Sequence, residues 1–159
     1  MTYKITPTAS GGVSLAPTCL IQITLSSAQT ASSGDVVAFD TIASTSTPAL
    51  SLNTSTGEIT LDSSKHYYIQ ASIQIDRSST TSSFNFAWID SSGTVLTTSD
   101  GGYDATWEYH TGTVGDTATC TANYITRSPT SAVRLKAITL ATSSSVRTDT
   151  TVFIMEVTP

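Results

Sequence analysis

The side chains able to do chemistry in this chain are few, and they are poorly spaced for it. His66, His110, Cys19 and Cys120 are the candidates for ligating a metal. None stands at the His-x-x-x-His or Cys-x-x-Cys spacing that brings two ligands onto one ion. Ser and Asp are so abundant that a Ser-His-Asp set can be drawn many ways, so none is singled out. No Gly-x-Ser-x-Gly elbow and no phosphate-cradling glycine loop occurs. Asp100-Gly101-Gly102-Tyr103-Asp104 offers oxygens to calcium. It lacks the alternating acidic run and final Glu of an EF-hand loop, and reads better as a solvated turn. The expectation is a protein without enzyme activity, metal or cofactor.

Recognition chemistry is better represented. Tyr103, Trp107, Tyr109 and His110 crowd one irregular segment among Asp and Gly. Aromatic rings with polar tips suit interfaces and stack on sugars, so these four form a candidate ligand loop. The competing reading is that Trp107 and one Tyr plug the end of the fold under a long loop.

The elements that must position these residues follow from composition. The chain has 159 residues, of which 12% are charged and 38% hydrophobic. That is one domain's worth, with enough apolar residues for a core. Ser and Thr, about a third of the chain, fill the remainder. Thr suits a pleated strand and Ser a turn. No apolar pattern at helical spacing persists for three turns. The net charge of −5 and scattered basic residues (Lys4, Lys65, Arg77, Arg127, Arg134, Lys136, Arg147) argue against nucleic acid. No apolar run is long enough to span a bilayer, so no membrane partner is expected. Met1 to Leu15 lacks the basic and apolar regions of an export signal, which points to synthesis in a cytoplasm. Two cysteines make no disulfide framework, and two buried free thiols are expected.

Residues 1–18 read as an extended arm broken by Pro7, Gly11, Gly12 and Pro17. Tyr3, Ile5, Val13 and Leu15 are apolar anchors along it. Either the arm is a disordered terminus or these anchors dock it on a partner. Residues 19–159 read as one domain of short strands separated by turns. The predicted strands are Leu20–Leu25, Val36–Ile42, Leu50–Asn53, Glu58–Leu61, Tyr67–Ile75, Phe84–Trp88, Thr94–Thr97, Ala118–Thr126, Ala132–Ala141 and Thr150–Thr158. A change of apolar phase in the ninth predicts a bulge near Ala137. About ten such strands predict an all-β antiparallel sandwich or barrel.

One strand carries more apolar surface than a single core can use. Val152 and Ile154 lie on one face of it, and Phe153, Met155 and Val157 on the other. Tyr68 similarly stands on the otherwise polar side of its strand. A strand apolar on both faces is buried on both. Each Phe, Met or Val left in water forgoes about 1.5–3 kcal/mol. Tyr68, Phe153, Met155 and Val157 are therefore the expected oligomer interface, with a covering layer supplied by the arm as the alternative.

Three stretches carry a family resemblance: Ser33-Gly34-Asp35-Val36-Val37-Ala38-Phe39-Asp40, then Asn53-Thr54-Ser55-Thr56-Gly57-Glu58-Ile59-Thr60-Leu61, then Tyr67-Tyr68-Ile69-Gln70-Ala71-Ser72-Ile73. In this order they resemble the first half of a complement-head or tumour-necrosis-factor-like jelly roll. The likeness runs over about Ala28 to Ile75, and beyond that rests on strand number. It implies a two-sheet jelly roll of ten strands in all, which would follow the extended N-terminal arm, with the last strand central in the inner sheet and self-assembly through that sheet as a homotrimer or homodimer. It also implies that Cys19 and Cys120 lie on non-adjacent strands. Neither a collagen-like stalk nor a transmembrane stalk is present in the sequence. Stand-alone versions with a short arm resemble bacteriophage virion proteins. The functional expectation is a capsid decoration (cement) protein on the outer surface of a viral head, binding the major capsid protein through its arm. The alternative is the receptor-binding tip of a fibre, using the aromatic loop on a cell-surface glycan or protein.

Overall fold

The computed structural model describes residues 19–45, 50–79, 81–96, 108–111, 113–126, 131–141 and 143–157. These form twelve strands: β1 Cys19–Thr24, β2 Gln29–Ala31, β3 Thr41–Thr45, β4 Ser51–Asn53, β5 Glu58–Thr60, β6 His66–Asp76, β7 Thr81–Ile89, β8 Glu108–Thr111, β9 Thr117–Ile125, β10 Ala132–Thr139, β11 Ser144–Val146 and β12 Thr151–Val157. All named pairings are antiparallel. One sheet runs β2-β11-β6-β12-β1-β3 with β9 on the other side of β6, and the second runs β4-β5-β10-β7-β8. The fold is an all-β jelly-roll sandwich. Its last strand, β12, lies inside the first sheet between β6 and β1. We call that sheet the inner sheet.

Period-two patterning accounts for the layers. Along β6 burial alternates without a break, Tyr67, Ile69, Ala71, Ile73 and Ile75 pointing inward. Opposite them Phe84, Phe86 and Trp88 of β7 and Val133, Leu135 and Ala137 of β10 close the core from the outer sheet. Trp88 spans the gap and donates its indole N–H to the Ala122 carbonyl on β9 at 3.0 Å. A buried indole N–H left without a partner would cost about 1–3 kcal/mol, so this bond fixes the ring's orientation as well as its burial.

The structure departs from the pattern reading at the short and irregular elements. Val36–Ile42 is not one strand: Val36 makes an isolated bridge to Lys136, and the ladder begins only at Thr41. The intervening backbone finds other partners. Val37 N–H donates to the Leu135 carbonyl, and the Gln29 side-chain amide both donates to and accepts from Ala38. A glutamine standing in for a strand leaves no periodic signal. Of the predicted strand Thr94–Thr97, the described residues hold an isolated bridge between Val95 and Ile89, and Thr97 lies outside the described residues. β2 and β11 are three residues each, too short for alternation to register. The bulge near Ala137 is present as a register shift against β7 between Ala137 and Thr139.

Candidate interaction face

The inner sheet has one face in the core and one facing away from it, and the register arranges the second face in rows. At one end His66 lies opposite Val157. Next come Met155, Tyr68 and Ile125 side by side on β12, β6 and β9. The third row is Ser44, Gln22, Phe153, Gln70 and Asn123 across five strands. The fourth is Thr41, Thr24, Thr151, Ser72 and Thr121. Gln74 with Thr119 and Asp76 with Thr117 finish the far end. The face thus grades from apolar through amide to hydroxyl, and reaches a carboxylate only at its last row.

Tyr68, Phe153, Met155 and Val157, singled out in the sequence, fall together in the first three rows, all half-buried. They are adjacent because β12 pairs with β6, a contact between residues some 85 positions apart in the chain. Tyr68 is held in place by donating its phenol to Asn123 Oδ1 at 3.2 Å. His66 Nδ1 lies 2.7 Å from the Thr126 carbonyl, which can only accept, so that nitrogen is the donor. The middle rows carry no charged side chain. On the outer sheet, by contrast, the solvent-facing positions of β5 and β10 hold Glu58, Arg134 and Lys136. Depletion of charge with retention of Tyr, Phe and Met is the composition of the core of a protein-contact surface.

Charges gather at the two ends of the sandwich instead. At the apolar end Lys65 pairs with Glu156 at 2.8 Å. At the hydroxyl end Arg147 bridges Asp76 at 2.9 Å and Asp149 at 3.2 Å. Beside it Arg77, only 4% exposed, donates through Nη2 to Asp116 and to the Thr113 carbonyl. Its Nε and Nη1 groups are buried without partners. Arg77 therefore clamps the turn that leads from β8 into β9 through one of its three guanidinium nitrogens. The Asp40 carboxyl sits below the usual range because the Ser26 hydroxyl, and then the Ser26 backbone N–H, donate to it. Asp90 is lowered in the same way, first by the Ser92 hydroxyl and then by the Thr94 backbone N–H.

Among the other sequence candidates, Tyr109 and His110 lie on β8, the edge strand of the outer sheet, opposite Ser83 and Ser82. Tyr103, Trp107, the Asp100–Asp104 segment and the arm residues Tyr3, Ile5, Val13 and Leu15 lie outside the described residues. Cys120 is a buried free thiol on β9, while Cys19 begins β1; β12 and β6 stand between those strands. Among the described residues no cluster of His, Cys, Asp or Glu could hold a metal ion. No helix of the described residues is long and apolar enough to cross a membrane. The amide row was missed in the sequence because Gln22, Gln70 and Asn123 look like ordinary solvent-facing polar residues until the register aligns them.

Comparison with known proteins adds the fold and stops there. No family model matches the chain, and no curated protein matches it by sequence. Solved structures do. An Eiger tumour necrosis factor from S. frugiperda superposes with a TM-score of 0.61 at 10% identity, over 89% of this chain and 94% of that one. The globular domain of a zebrafish complement 1qA protein gives 0.55 at 8% identity, over 86% and 95%. Murine APRIL gives 0.54 at 7% identity, over 87% and 98%. The likeness to the tumour-necrosis-factor and complement-head jelly rolls expected from Ser33–Ile73 is therefore real at the level of fold.

Proposed function

We propose that this chain is a non-enzymatic binding module that associates with copies of itself through the outward face of its inner sheet, and that the assembly decorates the outer surface of a viral head. The observation that carries self-association is the run of rows from Val157 to Thr121 without a charged side chain on a protein of net charge −5. Across a two-fold axis a patch meets its own copy, and around a three-fold axis the residues nearest the axis meet theirs, so a charge at the centre of either assembly would meet a like charge. An uncharged face with Tyr, Phe and Met at one end escapes that repulsion and still has apolar area to bury. The sandwich architecture, shared with signalling and complement-head domains, supports a binding role over a catalytic one.

The decoration role draws on the acidic domain, on the apolar anchors Tyr3, Ile5, Val13 and Leu15 ahead of it, and on the resemblance of jelly rolls with such an arm to virion proteins. In this reading the major capsid protein is the partner, the arm supplies the contact, and the protein acts on the virion after synthesis in the host cytoplasm. The mass of the purified protein in solution, alone and mixed with intact heads stripped of accessory proteins, tests both halves. A stable dimer or trimer that saturates heads at fixed stoichiometry is expected. A monomer at micromolar concentration would sink the interface, and an oligomer that ignores heads but adsorbs to cells would replace decoration with the fibre-tip reading.

A further inference from the structure

The uncharged rows contain one group that gains a charge when neutral solution is made mildly acidic. From the row of His66 and Val157 to the row of Gln74 and Thr119, the ionisable side chains on this face of β6, β9 and β12 are those of His66 and Tyr68. β1 enters the sheet at the same apolar end with Cys19, opposite Met155. A phenol and a thiol stay neutral as the pH falls from 7, whereas an imidazole becomes a cation. His66 is half-buried and its Nδ1 already donates to the Thr126 carbonyl, so a further proton has only Nε2 to bind. No counter-ion waits for that charge on the face. β12 presents Val157 and Met155 beside the ring, and β9 presents Ile125. Glu156 is in register with Tyr67, whose side chain lies in the core, so it is on the other side of β12, held by Lys65 at 2.8 Å. Asp62, in the turn before β6, accepts from the Ser64 backbone N–H at 2.9 Å and hydroxyl at 2.6 Å. The carboxylate of the face itself, Asp76, is at the opposite end and paired with Arg147.

We infer that mild acid dissociates the assembly by charging His66. The inference rests on the self-association reading above and names a control of that same face. Where copies meet, an imidazole set among Val157, Met155 and Tyr68 loses its water. The neutral ring can be buried there, because its Nδ1 keeps the bond to Thr126. The cationic ring is disfavoured, since burial without a counter-ion opposes the charged form and each copy brings the same charge to the contact. Assembled protein therefore binds the proton more weakly than free protein. Association is full above the pH at which the free ring titrates and weakens as the pH falls through it. An ordinary imidazole is about nine-tenths protonated at pH 5.5. With only the neutral ring admitted to the contact, each copy contributes a factor of about ten, on the order of 100-fold for a dimer and 1,000-fold for a trimer. The fold itself survives this change of pH, because the Asp40 and Asp90 carboxyls, both lowered, lose their contribution only in stronger acid.

Sedimentation equilibrium at pH 8 and pH 5.5 tests this with the wild-type chain, His66→Gln, His66→Lys and His110→Gln, circular dichroism establishing that each is folded. His110, on β8 of the outer sheet, is the other of the two histidines and serves as the control. Gln keeps a neutral N–H donor at position 66, and Lys fixes a positive charge there. The wild-type and His110→Gln dissociation constants should rise at least tenfold at pH 5.5. His66→Gln should hold within about threefold across the range, and His66→Lys should be dissociated at both pH values. A wild-type change below about threefold overturns the inference, as does a His66→Gln chain that weakens in acid like wild type. A His66→Lys chain that associates like wild type at pH 8 overturns it as well. Should neither His66 variant fold, NMR titration of the wild-type ring decides: it should titrate at lower pH in the assembled than in the dissociated protein, and equal titration refutes the coupling. A wild-type chain that is monomeric at pH 8 refutes the self-association reading instead, which keeps the two failures apart.

Discussion

Replacing Gly57 with Ala should cost the protein several kilocalories per mole without touching the candidate interaction face. Gly57 ends the turn between β4 and β5, where its amide donates to the Asn53 carbonyl at 2.8 Å. Its φ is +66°, in the left-handed region. A Cβ added there would lie 2.2 Å from the Val37 carbonyl oxygen, 2.8 Å from Ala38 Cα and 2.9 Å from Phe39 N. All three are backbone atoms, so no flexible side chain can yield. The left-handed conformation costs an L-residue about 1–2 kcal/mol, and overpacking against an unyielding neighbour adds roughly 1–3 kcal/mol. Together about 2–5 kcal/mol would be lost from a total on the order of 5–15 kcal/mol. For a chain of this size that is a fall of roughly 5–20 °C in Tm. Gly93→Ala is the control, because Gly93 has φ +90° with nothing within 4 Å of the added Cβ. It should show the backbone penalty alone. Urea unfolding of both variants, followed by circular dichroism and Trp fluorescence, separates the two contributions. If Gly57→Ala is no less stable than Gly93→Ala, the close approach of the turn to residues 37–39 is not a constraint on this fold. Because β4 and β5 edge the outer sheet, the folded fraction should keep the wild-type mass in solution.

Trp88→Phe removes the donor to the Ala122 carbonyl and some core volume, and should destabilise by about 2–4 kcal/mol in denaturant titration; a change under about 1 kcal/mol would mean that the bond adds nothing beyond packing. Acid should weaken the fold through Asp40 and Asp90. Both carboxyls sit lower folded than unfolded, so their contribution is full above the unfolded value of about 3.9 and fades as pH falls through the folded value. Ser26→Ala should bring the Asp40 titration, followed by NMR, back toward the unfolded value, and an unmoved titration would refute Ser26 as the cause. Reductant should leave Tm unchanged, because β12 and β6 separate the strands bearing Cys19 and Cys120; intact-protein alkylation after denaturation should find two thiols, and finding none would contradict the register.

The long elements were legible in the sequence because burial on one side of a sheet writes a period of two that nothing local disturbs. Tyr67–Ile75 is the clearest case, with its alternation appearing residue for residue in β6. The excess apolar content of Thr151–Val157 marked it as a strand to be covered on both faces; Val152 and Ile154 do lie in the core, and β12 runs through the middle of the inner sheet, as the family resemblance implied. The turn before β5 was placed by the predicted strands Leu50–Asn53 and Glu58–Leu61 on either side of it. Other features left no local trace. Gln29 replaces a strand for Ala38 by a side chain nine residues away, and β11 finds β2 and β6 through partners more than 60 residues distant. The rows of the interaction face belong to this second kind. Sequence determined that Tyr68, Phe153, Met155 and Val157 point away from the core, because alternation is a property of one strand. Only the tertiary structure decided that they meet one another, that Gln22, Gln70 and Asn123 extend them into an uncharged face, and that the chain enters at its apolar end. Register between strands is set by packing of the whole core, and no single strand carries it.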